Sequence, residues 1–252
     1  MRLTLKSKYA WYGFGCVLII SCWQLAAWLT HPIIIPSPWR TIRAAFSLLG
    51  DPNFYFSHLM PSLLRIAMSI TLGALTGFLL GLLAGFYRPL KWLLEPLRTL
   101  LMSLPAVVVA ILAMLWFGLG TAMVTFTTAA LIAPFLYLST VNGVESIDRR
   151  YLEIASVYRH SRWTALIDIV LPAISPSLFS GLSIVVANGL RLAVLAEVLG
   201  VNEGLGYLIA TSRANLETDI LFALVLIILV LVVGLDFASN HLLKRAAGMR
   251  RK

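Results

Sequence analysis

Apolar residues in this chain come in runs too long for a soluble core. Six stretches, at 10–30, 62–87, 93–119, 121–141, 177–199 and 220–235, are mainly aliphatic and aromatic, and the short segments between them hold most of the charge. A helix rises about 1.5 Å per residue, so ~20 apolar residues cross the ~30 Å hydrocarbon layer of a bilayer. The pattern predicts an all-α polytopic membrane helical bundle with about six transmembrane helices. Between the first two runs, Pro36-Ser37-Pro38 is followed by Trp39, Ile42, Phe46 and Leu49. Ser37 suits an N-cap, Pro38 suits the first helical position, and apolar spacing of three and four gives one apolar face. A short amphipathic helix at the membrane surface is expected there. Gly204-Leu205-Gly206-Tyr207 predicts a turn into another short helix. The whole chain, 1–252, reads as one transmembrane domain.

Composition agrees. The chain is 60% hydrophobic and 12% charged, against about 25% charged in a soluble domain. A net charge of +9 would suit a nucleic-acid partner, but the distribution of the basic residues excludes it. One alternate set of connecting segments and ends holds fifteen Lys and Arg residues; the other holds Arg40, Arg43 and Arg213. By the positive-inside rule the first set, with both termini, is cytoplasmic. Arg2, Lys6 and Lys8 before an apolar run mimic a signal peptide. The run is longer than a signal core and no small-x-small site stands out after it, so an uncleaved first span is expected. Cys16 and Cys22 lie six residues apart in that run and point to different sides of a helix, which argues against a disulfide or metal site. The chain has no Gly-x-x-x-x-Gly-Lys-Ser/Thr loop and no His-Glu-x-x-His, and His31, His58, His160 and His241 lie in connections or tails. No catalytic site and no bound cofactor are expected.

The segment 142–176 is unusual. Connections between bundle helices commonly take 2–8 residues, and this one is far longer. It also carries Leu152, Ala155, Trp163, Leu166, Ile167, Ile169 and Leu171 between its charges. Two short helices ending at Leu171-Pro172 fit, as does a partner protein docked on them. Glu153-Ile154-Ala155, Trp163 and Ile169-Val170-Leu171-Pro172 resemble the EAA loop of ABC importer permeases, a motif of Glu-Ala-Ala, three residues, Gly, nine residues and Ile-x-Leu-Pro. Ile154 replaces the second Ala, and Arg159 stands where the motif has the Gly of a sharp turn. Pro36-Ser37-Pro38, Ser62-Leu63-Leu64-Arg65, Leu115-Trp116-Phe117-Gly118, Gly204-Leu205-Gly206 and Thr218-Asp219 resemble the nitrate/sulfonate/taurine branch of these permeases.

The resemblance implies a permease of the type I importer fold in a bacterial inner membrane. It implies a second permease chain in a homodimer, a cytoplasmic ATPase dimer that binds ATP and Mg, and a periplasmic binding protein that delivers a small anion. It assigns ATPase coupling to Glu153, Ala155, Arg159, Trp163, Leu171 and Pro172. Some relatives in the branch carry heterocyclic precursors instead.

Within the spans, Arg191 stands out. It lies about 14 residues, or roughly 21 Å, into the fifth run, where an arginine costs about 2.5–3.5 kcal/mol on insertion scales. It is either a cationic spot on an anion's pathway or a structural group bonded to a neighbouring helix. Asn188, Arg191 and Glu197 are the pathway candidates. Arg65, near a span end, can snorkel. Glu197 and Asp236 also lie near span ends and no carboxylate sits mid-span, which argues against the alternative of an ion-coupled secondary transporter. Pro105 and Pro134 should kink their helices, and Gly73, Gly77, Gly81 and Gly85 form a stripe suited to close helix packing.

Overall fold

A computed structural model describes residues 5–148, 150 and 162–248. Among these, every regular element is helical: α1 (Leu5–Leu29), α2 (Pro38–Leu49), the single turn α3 (Pro52–Phe54), α4 (Met60–Phe86), α5 (Arg88–Ser103), α6 (Ala106–Phe117), α7 (Thr121–Glu145), the short α8 (Arg162–Ala165), α9 (Leu171–Gly200), α10 (Leu205–Ala214) and α11 (Thr218–Gly248). Five helical stretches are long and apolar enough to cross a membrane, or six if α5 and α6 count as one bent span.

That bend corrects the third run, which sequence alone reads as one helix. The chain turns through 107° between α5 and α6. Pro105 has no N–H to continue α5, and its ring drives Leu104 into the extended region at φ −72°, ψ 135°. Pro134 behaves differently and sits inside the unbroken α7.

The bundle is built around α7, the most deeply buried of the described spans. The glycine stripe of α4 lies directly on it, as its spacing predicts. A Cβ at Gly73 would meet Ile132 Cγ1 at 2.5 Å, one at Gly81 would meet the Tyr137 carbonyl at 2.7 Å, and one at Gly85 would meet Val144 Cβ at 2.7 Å. Such close approach maximises dispersion contact between helices that gain nothing from burial in lipid. On its other side α7 receives α9, where Gly181 approaches Ser139 with the same intimacy.

Other elements are peripheral. In α1 the Trp23 indole donates to the Pro36 carbonyl (3.0 Å) and stacks on Phe222 of α11, while Trp11, Phe14, Ile19 and Trp28 are exposed. Cys16 and Cys22 are exposed and unpaired. Helix α2 forms as expected: Ser37 Oγ accepts from the Arg40 amide, Pro38 holds the first position, and the Ala45 side packs toward Leu224 and Ile227 of α11.

Two π-helical turns, Tyr55–Leu59 and Leu166–Val170, run directly into α4 and α9. Each stands just before a proline, Pro61 or Pro172. An α-helical proline collides with the carbonyl four residues earlier; widening the preceding turn relieves the collision without ending the helix. The expected stop at Leu171-Pro172 is therefore absent. Residues 162–200 continue as one helical rod, and α9 starts six residues earlier than its apolar run.

Candidate functional site

The ends of the bundle are held in different ways. At one end Glu197 of α9 is fully buried. Its Oε2 accepts from Ser62 Oγ (2.6 Å) and the Gly206 amide (3.0 Å), and its Oε1 accepts from Arg65 Nη1 (3.1 Å). Arg65 is 4% exposed. It also donates from Nη1 to the Glu203 carbonyl (2.9 Å), from Nη2 to Glu203 Oε1 (2.7 Å) and from Nε to Thr121 Oγ1 (3.0 Å). One guanidinium thus joins α4, α7, α9 and the α9–α10 turn.

The local sequence explains how the turn seats there. Pro61 offers no N–H to the Ser57 carbonyl, which instead accepts from the Gly204 amide at 3.1 Å. Gly204 has φ +107°, and a Cβ there would press on Ser62 Oγ (2.8 Å) and Arg65 Nη1 (2.9 Å). Ser62 Oγ also accepts from the Leu205 amide (2.8 Å). One sequence expectation is corrected here. Arg65 does not snorkel but is sequestered by carboxylates. Glu197 faces this clasp rather than the exposed side of its helix, because burial with three donors is its favourable state. Opposite charges near matching ends of two antiparallel spans were the signal for this pairing.

The exposed side of α9 carries Ile184, Arg191 and Leu199, with Asn188 half-buried beside them. Asn188 Nδ2 donates to the Ile184 carbonyl (3.0 Å). Arg191 has no hydrogen-bond or ion-pair partner among the described residues. Because α9 begins at Leu171, Arg191 lies ~30 Å from its start, and its distance from the Glu197 end is as expected. The structure thus groups Asn188 with Arg191 and separates both from Glu197.

At the opposite end, α5 lies across the foot of α7. Leu90 and Leu94 pack on Ala84, Tyr137 and Val141. Lys91 Nζ bonds Glu145 Oε1 at 2.7 Å, with both side chains partly exposed, and Arg98 pairs with Glu95 one turn on. Of the predicted coupling residues, Glu153, Ala155 and Arg159 lie outside the described residues. Trp163 is 70% exposed on α8, and Leu171 and Pro172 are half-buried at the start of α9. An apolar cavity of about 500 Å³ separates Leu82, Leu83 and Phe86 of α4 from Ala165, Leu166 and Val170. Among the described residues no His, Cys, Asp or Glu side chains gather as a metal site.

Apolar spans around one central helix define a polytopic membrane protein. Solved structures agree in fold. A chain of a bacterial ABC transporter that imports the acidic polysaccharide alginate superposes with TM-score 0.65 at 19% identity, over 94% of this chain and 96% of that one. The inward-facing methionine transporter MetNI gives 0.64 at 15% identity, over 77% and 98%. Residues 73–248 match the family described as binding-protein-dependent transport system inner membrane component, and the chain belongs to that family. It is 31% identical to an ABC transporter permease protein of Haemophilus influenzae, over 92% of this chain and 93% of the relative. It is also 31% identical to SsuC of Bacillus subtilis, assigned by name to aliphatic sulfonate transport, over 88% and 82%. To the taurine transport system permease protein TauC of Escherichia coli it is 26% identical, over 92% and 86%. It is an ABC importer permease subunit.

Proposed function

We propose that two copies of this chain form the pathway of an ATP-driven importer for a small sulfonate-type anion, meeting along the exposed faces of α9. Arg191 carries the reading. A guanidinium exposed on a spanning helix is costly against lipid, so a second chain with a wet pathway is its natural cover. A cation there lowers the barrier for an anion, and relatives are named for sulfonates and taurine. The Glu197 end faces the periplasm and receives a binding protein. The Glu145 end and both termini face the cytoplasm of a bacterial inner membrane. There the loop around Glu153, Ala155, Arg159 and Trp163, with Leu171 and Pro172 at its base, seats in an ATPase dimer that holds ATP and Mg.

The test is reconstitution with the cognate ATPase and binding protein, with labelled taurine and alkanesulfonates as cargo. Arg191→Ala should lower sulfonate uptake at least about tenfold, roughly 1.4 kcal/mol or more of barrier, with the complex intact, and Arg191→Lys should keep part of it. Normal uptake by the Ala variant overturns the pathway role. A second cargo class must be included, because a relative 26% identical over 88% of the chain is named for formylaminopyrimidine transport. Uptake of that heterocycle in place of sulfonates would replace the anion reading. Ala155→Asp, an unpaired charge at the proposed contact, should abolish ATPase co-purification while membrane insertion is unchanged.

A further inference from the structure

We propose that the Lys91–Glu145 ion pair is a drive link that carries movement of the cytoplasmic loop into the bent α5–α6 arm. This rests on the ATPase-coupled reading above. Glu145 is the last residue of α7, and Ile147, two positions on toward the loop, packs on Val144, Val170 and Ile174, so the pair sits where the helix hands over to the loop. Lys91 Nζ, 2.7 Å away, belongs to α5.

The arm is fixed at its far part. Ala110 and Ala113 of α6 are fully buried with Met123 and Val124 of α7 and Ala193 of α9. Near its start, α5 touches the bundle through Leu90, Leu94 and the ion pair. Beyond that contact, Leu97, Leu100 and Met102 are exposed. Between the two parts lies the extended Leu104 and the 107° bend. A rod joined to α4 through Tyr87 alone, held near its start by two leucines and a partly exposed ion pair, and joined at its far end through an extended residue, can swing about that start. The cavity between α4 and the residues preceding α9 leaves room at the same end of the bundle, whereas close-packed interiors resist displacement. The pair is too exposed to matter greatly for folding, so its charges can be exchanged.

The experiment uses the assembled complex with Cys16→Ser, Cys22→Ser and one bimane label at Leu97→Cys. Emission is compared between nucleotide-free and vanadate-trapped states. The unmodified pair should give a clear shift, Lys91→Glu and Glu145→Lys should each lose it, and the double exchange should restore it. The link is overturned if the parent shows no shift, if either single variant shifts like the parent, or if the exchange restores nothing. It is also overturned if Glu145→Lys releases the ATPase, since the carboxylate would then be a docking contact. A parent chain that retains no ATPase at all would instead sink the proposed function itself.

Discussion

The Glu197 end and the Glu145 end of the bundle are both closed by ion pairs, yet the two pairs differ in almost every physical respect. At the first, one buried guanidinium serves four elements, and two carboxylates and a threonine hydroxyl satisfy it. At the second, a flexible lysine meets one glutamate in a partly exposed setting. Breaking a buried pair leaves a charge with no water to receive it, while an exposed pair dissolves into solvent at little cost. The first pair therefore holds its helices firmly together, and the second can break and re-form.

The largest expected effect follows from that contrast. Glu197→Ala strips Arg65 of its fully buried partner, and loss of one member of such a pair costs about 3–5 kcal/mol. The thermal midpoint of the purified protein should fall steeply, with a lower folded yield. An unchanged midpoint would show that Glu203 alone suffices and that the clasp is no stronger than its exposed counterpart. Gly204→Ala should act at the same end with a smaller penalty, on the order of 1–3 kcal/mol for a side chain at that φ, read as a lower midpoint without loss of insertion. Lys91→Ala should leave the midpoint almost where it was, within about 1 kcal/mol. A drop as large as that of Glu197→Ala would erase the distinction between the two ends.

Much of the fold was legible from the apolar pattern because spans answer to a simple length rule. The amphipathic α2, the turn into α10 and the glycine seam on α7 were legible too, since each rests on local chemistry: a capping serine, a left-handed glycine, a repeat of four. What the pattern missed were consequences of proline in context. Pro105 breaks a span outright, and Pro172 widens a turn where a stop was expected. Those outcomes depend on whether neighbours can take up the freed carbonyl, and spacing does not record that. Arg65 was misread for a related reason: its partner Glu197 lies 132 positions away in sequence. Arg191 stood out correctly as a charge in a span, but its outward direction needed the packing of α7 on α9.

The π turn at Leu166–Val170 has a consequence for the genetics of the chain. A π turn holds one residue more than an α-helical path would need, so this segment is in effect a one-codon insertion kept beside Pro172. Removing a single residue such as Ile167 would let the rod close to ordinary helical winding. Everything upstream on that rod, including Trp163, would then rotate by about 100° around the axis of α9, while Asn188 and Arg191 stayed in place. The angular phase between Trp163 and the membrane-spanning helix is thus set at one position. A deletion there would tell whether the partner reads that phase or merely the presence of a helix.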